Sequence, residues 1–314
     1  MIADKTAILL NPSAGKGKAL KKRRAIEQTL RKFEVPFELF VTQNEDDLKS
    51  VARECLGKFQ TVVGAGGDST FNIILNEVYP LDRNVRLGII GIGSSNDIAR
   101  EFDLLTLTKA CLALKKNKVR KLDLGCIVQD GKPIRYFLGQ ANAGLGVYVN
   151  RYVQKAGQKV PFLKKAQSLM GGLGAWNAYK SEAIPVPLSV TARKEKYEGR
   201  FICALFSNIR FWATGRIVCP NAKCDDGLLD AFLIQDTSIW RIWRIANLTK
   251  RGTHENFKEV KAIQSPEYEV SSEEGFNIQT DGEILGHSSE PRNYKKINFK
   301  IVPQEISVVT LDCP

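Results

Sequence analysis

The sequence predicts an N-terminal α/β domain on a parallel sheet, followed by a C-terminal domain of short antiparallel strands, a sandwich or an open barrel. Through about residue 120, strand-length apolar runs alternate with helix-length amphipathic ones, as strands joined by helical crossovers do. After Val119 the texture changes to short alternating runs with few helical stretches. Glycine-rich turns follow directly on the early strands, where the ligand loops of a parallel sheet lie.

The elements are justified in order. Thr6–Leu10 is a short apolar strand ending in Asn11-Pro12-Ser13-Ala14-Gly15-Lys16-Gly17. That turn lacks P-loop spacing, but small residues followed by cations suit a phosphate. A helix is expected from Ala19 to about Phe33, with Lys21–Arg24 as a solvated face. Phe37–Val41 is the next strand, closed by Thr42, and Asp46–Leu56 the next helix. Thr61–Gly64 is β-branched and stops at Gly64-Ala65-Gly66-Gly67, after which Phe71, Ile74, Leu75 and Val78 recur at helical spacing. Leu87–Ile90 is a fourth strand and leads into Gly91–Arg100, a second glycine turn followed by an acid, Asp97.

A strand, a glycine turn and a helix start gather free N–H groups and the positive end of a helix dipole at one point, which suits phosphate. Asp68 at that point would repel a bare phosphate. It fits if Mg²⁺ lies between them, because Mg²⁺ commonly joins one or two carboxylates to substrate phosphates. The plainer alternative is an N-cap.

In the second half, strands are expected at Lys121–Val128, Tyr136–Ala143, Pro187–Ala192, Phe201–Ser207, Leu228–Ile234, Glu267–Val270 and Ile297–Val302. Residues 151–180 mix lysines with Phe162, Leu163, Leu169, Met170 and Trp176. Residues 239–251 set Trp240 and Trp243 beside Arg241 and Arg244. Cations and aromatics on one amphipathic segment suit a membrane surface, and they equally suit a helix packed on a sheet with its arginines outside. Asp225-Asp226-Gly227 and Asp281-Gly282-Glu283 are acidic turns, the first a possible divalent-cation site.

A chain of 314 residues with 43% hydrophobic content can bury large cores. No run of eighteen apolar residues and no leader pattern is visible, so a soluble, cytoplasmic protein is expected. Seven scattered cysteines without a CxxC pair suggest reduced thiols and no zinc site. His254 and His287 read as surface histidines. The net charge of +12 concentrates in residues 1–35, with nine Lys/Arg against three acids, and in 150–200, with ten against three. Such a surface attracts phosphate-rich partners. Nucleic acid is disfavoured among them, because no recognised module carries the basic segments and the acidic turns oppose a phosphate backbone.

Asn11–Gly15, Gly66-Gly67-Asp68-Ser69-Thr70, Gly93-Ser94-Ser95-Asn96-Asp97, Asp225-Asp226-Gly227 and Asp281-Gly282-Glu283 together resemble the diacylglycerol kinase catalytic-domain family of soluble bacterial lipid kinases, related to sphingosine kinases. The motifs occur in the family's order over nearly the whole chain. The resemblance implies a Rossmann-like nucleotide-binding domain, residues 1–122 with 303–314 returning to it, and a β-sandwich lipid-binding domain, residues 123–302. It implies ATP and Mg²⁺ between them. Asn11, Pro12, Ser13, Ala14, Gly15, Thr42, Gly66, Gly67, Asp68, Ser69, Thr70, Ser94 and Asn96 would hold the nucleotide. Asp68, Asp97 and Asp123 would organise Mg²⁺ and phosphates, balanced by Arg100 and Lys16. Asp226 with the carbonyls of Lys223 and Leu228 would hold a structural Mg²⁺. Asp281 would be the base that takes the acceptor hydroxyl's proton, with Glu283 beside it as the other contender. The implied reaction is phosphate transfer to a lipid hydroxyl, diacylglycerol first, by a peripheral enzyme on the inner membrane face, with a homodimer possible. A sphingoid base, phosphatidylglycerol or NAD as acceptor, or a non-catalytic nucleotide- or lipid-binding regulator, are the other readings.

Two residues depart from the pattern. Ser69 stands where the family has glycine, and Ile73 where it has glutamate. If position 69 needs a positive φ, serine costs about 1–2 kcal/mol there. Asp68, Asp97, Asp226 and Asp281 are all retained, which favours an active enzyme.

Overall fold

Aliphatic and β-branched residues crowd the strands that open the chain, and burial on both faces explains why they read as nearly continuous apolar runs. In the computed structural model, which describes residues 3–159, 184–286 and 291–311 together with Leu173, Trp176, Asn177, Tyr179 and Lys180, they are β1 (Ala3–Leu10), β2 (Phe37–Val41), β3 (Phe59–Gly66) and β4 (Arg86–Gly91). They run parallel in the order β2-β1-β3-β4, with Ile8 between Leu39 and Val63 and Val63 opposite Gly88. The connecting helices are α1 (Ala14–Gly17), α2 (Arg23–Lys32), α3 (Glu45–Cys55), α4 (Asp68–Val78), α5 (Asp97–Glu101) and α6 (Leu107–Lys116). Local chemistry sets their ends. Asn44 caps α3 by accepting from Asp47 N at 2.9 Å, and Thr106 caps α6 by accepting from Lys109 N. Helix α2 starts later than its periodicity suggests, because Leu20–Lys22 forms a 3₁₀ turn, and Lys21–Arg24 are exposed.

The second half is antiparallel and β-rich. Its strands are β5 (Val119–Gln129), β6 (Lys132–Phe137), β7 (Gln140–Gly144), β8 (Val186–Ala192), β9 (Glu195–Ser207), β10 (Phe211–Trp212), β11 (Arg216–Ile217), β12 (Leu229–Gln235), β13 (Val260–Ser265), β14 (Glu267–Phe276), β15 (Ile278–Thr280), β16 (Glu283–Ile284) and β17 (Tyr294–Val309). Helices α7 (Leu145–Lys159) and α8 (Ile239–Leu248) interrupt them. Strand β17 joins the two halves. It pairs antiparallel with β14 and β5, and its end pairs parallel with β4 through Ser307 and Val308. Strands β9 and β17 are not neighbours in the sheet, yet Phe206 stacks on Phe299 at 4.2 Å, and Tyr268 of β14 donates to the Leu229 carbonyl of β12 at 2.9 Å. The sheet therefore folds over on itself, with an aromatic core between its layers.

Three local expectations change. Tyr136–Ala143 is two strands, broken at Leu138-Gly139, whose N–H groups turn toward Asp281. Strand β13 was not expected; it is an edge strand with few buried residues and so carries no apolar alternation. His254 is fully buried, not a surface residue, with Nε2 3.0 Å from the Val218 carbonyl and its ring edge-on to Phe232. His287 and residues 160–172 of the basic segment lie outside the described residues. The six described cysteines are free and buried, and burial pushes Cys111 up to about 12.

Candidate active site

Three turns meet at the carboxyl ends of β1, β3 and β4. The Asn11 amide donates to Thr70 Oγ1 at 2.9 Å and its Oδ1 accepts from Ser13 N, which locks the Asn11–Gly15 turn to the start of α4. Ile92 N and Gly93 N both donate to the Gly66 carbonyl, at 2.8 and 2.9 Å. Two glycines are required by contact. A Cβ on Gly15, at φ +58°, would lie 2.5 Å from Ile92 O, and one on Gly93 would lie 2.3 Å from Gly67 Cα. Thr42 is buried at the end of β2, and its hydroxyl donates to the Leu10 carbonyl at 3.3 Å, so it supports the turn from below. Ser94 is exposed on the rim, and Asn96 holds its αL conformation by accepting from Gly93 N. Lys16 lies in α1, and its side chain is not among those described.

Asp68 opens α4 and caps α5. Its oxygens accept from Asp97 N at 3.0 Å and Ile98 N at 2.9 Å. Asp97 in turn accepts from Thr214 N at 3.2 Å and Gly215 N at 2.7 Å, in the turn between β10 and β11. Ala213 and Thr214 hold φ values of +51° and +70° to present those groups, at a cost of about 1–2 kcal/mol each. Arg100 Nε lies 4.0 Å from Asp97, and Arg210 grips Glu101 of the same short helix through N and Nε, both at 2.9 Å. Burial, and then the charge of Asp68, push the Asp97 carboxyl up to about 6; burial raises Asp68 as well. Two carboxylates close enough for the charge of one to raise the other form an all-oxygen set suited to a hard cation. Each oxygen accepts one N–H and keeps a lone pair. Among the described residues there is no group of three His, Cys, Asp or Glu, so phosphate and water would have to complete the shell.

The second half brings its own acids to this point. Asp281, at φ +45° and 2% exposed, accepts from Gln140 N at 2.7 Å through Oδ1, and from Leu138 N at 3.1 Å, Gly139 N and the Asn72 amide at 3.0 Å through Oδ2. Burial pushes it up to about 6. Glu283 is half-buried and raised by burial, in a turn that approaches Ser69, whose Cβ would lie 3.7 Å from a Cβ built on Gly282. Arg135 lies near both acids and donates to Asn72 Oδ1, while burial lowers its pKa. Asn72 thus connects α4 to Asp281 on one side and to Arg135 on the other.

Ser69 sits in the first turn of α4 and is not among the positive-φ residues, so the strain expected of it is absent. Ser69→Gly is therefore expected to lower stability by about 0.5–1 kcal/mol, measured by urea unfolding, without raising turnover. Ile73 is buried at 7% exposure in the core.

Asp123 is fully buried, and each of its oxygens accepts one N–H, Oδ2 from Gly227 at 2.6 Å and Oδ1 from Gln304 at 2.8 Å. These bonds tie the Asp225–Gly227 loop to β17. In that loop Asp225 pairs with Arg120 at 2.8 Å, and Asp226 is exposed with Oδ1 accepting from Leu228 N. Lys223 and Leu228, whose carbonyls were expected to join Asp226 at a cation, lie in or beside the same loop.

The raised acids have a consequence for pH. Asp97 folds with a pKa of about 6 against an ordinary 3.8, so the folded chain holds a proton that the unfolded chain releases between about pH 4 and 6. Its contribution to stability falls as pH rises through that window and levels off above it. Asp97→Asn removes this slope, so the variant should gain about 2–3 kcal/mol relative to wild type between pH 4 and 7 in paired urea titrations. An unchanged difference would mean that Asp97 titrates normally.

Sequence reasoning missed Arg135 and the Thr214–Gly215 N–H pair. Arg135 lies in an exposed-looking strand, and backbone donors leave no side-chain signature.

Comparison with known proteins agrees in both halves. Residues 5–127 match the diacylglycerol kinase catalytic domain, and residues 139–310 match the YegS C-terminal NAD kinase beta sandwich-like domain. A protein named "Probable lipid kinase YegS-like" from Pseudomonas aeruginosa is 29% identical over 269 residues, 85% of this chain and 82% of the relative. A diacylglycerol kinase of Bacillus subtilis is 26% identical, covering 89% of each chain. The crystal structure of a diacylglycerol kinase from Bacillus anthracis shares the fold, with a TM-score of 0.69 at 18% identity over 98% of this chain and 97% of that one.

Proposed function

This chain belongs to the diacylglycerol kinase catalytic-domain family, and from that premise we propose that it transfers the γ-phosphate of ATP to a lipid hydroxyl, with diacylglycerol as acceptor and phosphatidic acid as product. One observation carries the reading. The Asp281–Glu283 turn of the β-rich half closes on the first turn of α4, where Gly282 approaches Ser69 and Asn72 meets Asp281. An acid able to take a proton then stands beside the turns suited to phosphate.

Phosphoryl transfer asks the protein for positioning and charge neutralisation, plus a base that orients the hydroxyl. The Asn11–Gly15, Gly66–Thr70 and Ser94–Asp97 turns would bind the nucleotide. Asp68 and Asp97 would hold Mg²⁺, which supplies charge neutralisation at the phosphates when bound. Arg100 would offset negative charge at the rim. Asp281 would accept the acceptor's proton, since its Oδ1 keeps a lone pair beyond the Gln140 bond and its raised pKa lies close to working pH. Arg135 and Asn72 would hold that turn in place.

The test is an acceptor panel of diacylglycerol, a sphingoid base, phosphatidylglycerol and NAD, each given with ATP and Mg²⁺ and its product identified by mass. Diacylglycerol should be converted with the highest kcat/KM. Preferential conversion of NAD or of a sphingoid base would replace the acceptor, and no conversion of any would favour a non-catalytic binder.

A further inference from the structure

Helix α8 packs on the β-rich half through Ile242 and Ile245, both buried. Its opposite face carries two of the most exposed large apolar side chains, Trp240 at 79% and Trp243 at 65%. Residues 240, 243, 244 and 247 recur at helical spacing, so Trp240, Trp243, Arg244 and Asn247 form one outward stripe. Lys250 and Arg251, both exposed, follow in the turn after the helix. Across residues 239–258 the chain holds five Lys/Arg against one acid, Glu255. Two more acids flank this segment: Glu259 is buried and paired with Arg241 at 3.1 Å, and Asp236 is exposed three residues before the helix. No helix among the described residues is long and apolar enough to cross a membrane.

We propose that the Trp240–Trp243 face of α8 docks on an anionic lipid surface. Tryptophan favours the boundary between head groups and acyl chains, and cations on the same helix add attraction to anionic lipid. A basic surface disfavours the same face on a second copy of this chain, since each copy would bring an excess of cations to the contact. The helix is also joined to the candidate site. Arg216 donates to the Ala246 carbonyl, and Ile217 N donates to the Thr249 carbonyl at 2.7 Å. Both residues belong to the β10–β11 hairpin whose turn gives Asp97 its two N–H bonds. A docked α8 would thus hold one wall of the cleft at the surface where a lipid acceptor resides. In this sense the proposal rests on the lipid-kinase reading, but docking is measurable without turnover.

The experiment is co-sedimentation of the full chain with vesicles of phosphatidylcholine alone or mixed with phosphatidylglycerol, without ATP. Wild type should partition onto the mixed vesicles and be released as salt rises. Trp240→Ser/Trp243→Ser should weaken that partitioning about tenfold or more, and Arg244→Glu/Arg251→Glu should weaken it on mixed vesicles only. The tryptophans are exposed, so their replacement should leave thermal unfolding unchanged, whereas Arg244, whose guanidinium lies 5.6 Å from the Phe257 ring centroid, should cost about 0.5–1 kcal/mol when replaced; turnover of a short-chain soluble acceptor should stay within about twofold in both pairs. Equal partitioning of wild type and the tryptophan variant would overturn the proposal. So would a wild-type dimer that the tryptophan variant converts to monomer with no effect on vesicles. Tryptophan-dependent docking in a protein that phosphorylates no acceptor would uphold the docking face and defeat the kinase reading instead.

Discussion

Asp281→Asn is expected to lower phosphate transfer by about 10²–10⁴-fold while leaving stability within about 2 kcal/mol of wild type. Two effects oppose each other in the folded state. The amide NH₂ cannot accept, so at least the Gln140 N–H, bonded at 2.7 Å, loses its partner. Against that, wild type keeps an ionised carboxylate at 2% exposure above pH 6, and the neutral amide removes that burden. Asp281→Ala is different, because it withdraws the acceptor from Leu138 N, Gly139 N, Gln140 N and Asn72 together. It should cost about 3 kcal/mol or more. Glu283→Gln should lose less than about tenfold in kcat. If Glu283→Gln is the variant that loses turnover while Asp281→Asn retains it, the proton goes to Glu283. Steady-state kinetics paired with urea unfolding on all three variants separates the outcomes.

Gly93→Ala is expected to weaken ATP binding by about 100-fold or more and to lower stability by about 2–3 kcal/mol, the upper range for overpacking. The added methyl would sit 2.3 Å from Gly67 Cα, 2.8 Å from Gly67 N and 2.9 Å from Asn96 Oδ1. Two of those atoms are backbone and cannot rotate aside. The β3 and β4 turns would have to part, and the Ile92 and Gly93 bonds to the Gly66 carbonyl would go with them. Ser94→Ala, one residue on and exposed, should change stability by less than about 0.5 kcal/mol. Calorimetric titration with ATP and thermal unfolding of both variants make the comparison. Normal ATP binding by Gly93→Ala would place the nucleotide elsewhere.

Much of the first half could be read from residues alone because its signals are local. Phe37–Val41 is bounded as its apolar run suggests, whereas the strand expected over Thr61–Gly64 runs from Phe59 through Gly66, because Gly64 and Ala65 still pair with Ile89 and Ile90. What was hidden is long-range. Asn72 reaches Asp281 across 209 positions and Asp123 reaches Gln304 across 181, and nothing local marks either. The backbone partners of Asp123, Gly227 N and Gln304 N, could not be read from its motif. His254 carries a polar side chain that composition assigns to the surface, and only the packing of Phe232 and Val218 shows it buried. Residues 239–251 left two readings open; the helix packs through its isoleucines with Arg241 and Arg244 outside, and both tryptophans are exposed as well.

The most direct test is transfer of labelled γ-phosphate from ATP to diacylglycerol in mixed micelles, run with wild type and Asp68→Ala. The account predicts labelled phosphatidic acid from wild type and a loss of about 10³-fold in the variant, which loses both the carboxylate whose charge raises Asp97 and the cap on α5. ATP bound by a wild type that labels no lipid would contradict it, and so would a variant that labels diacylglycerol as fast as wild type.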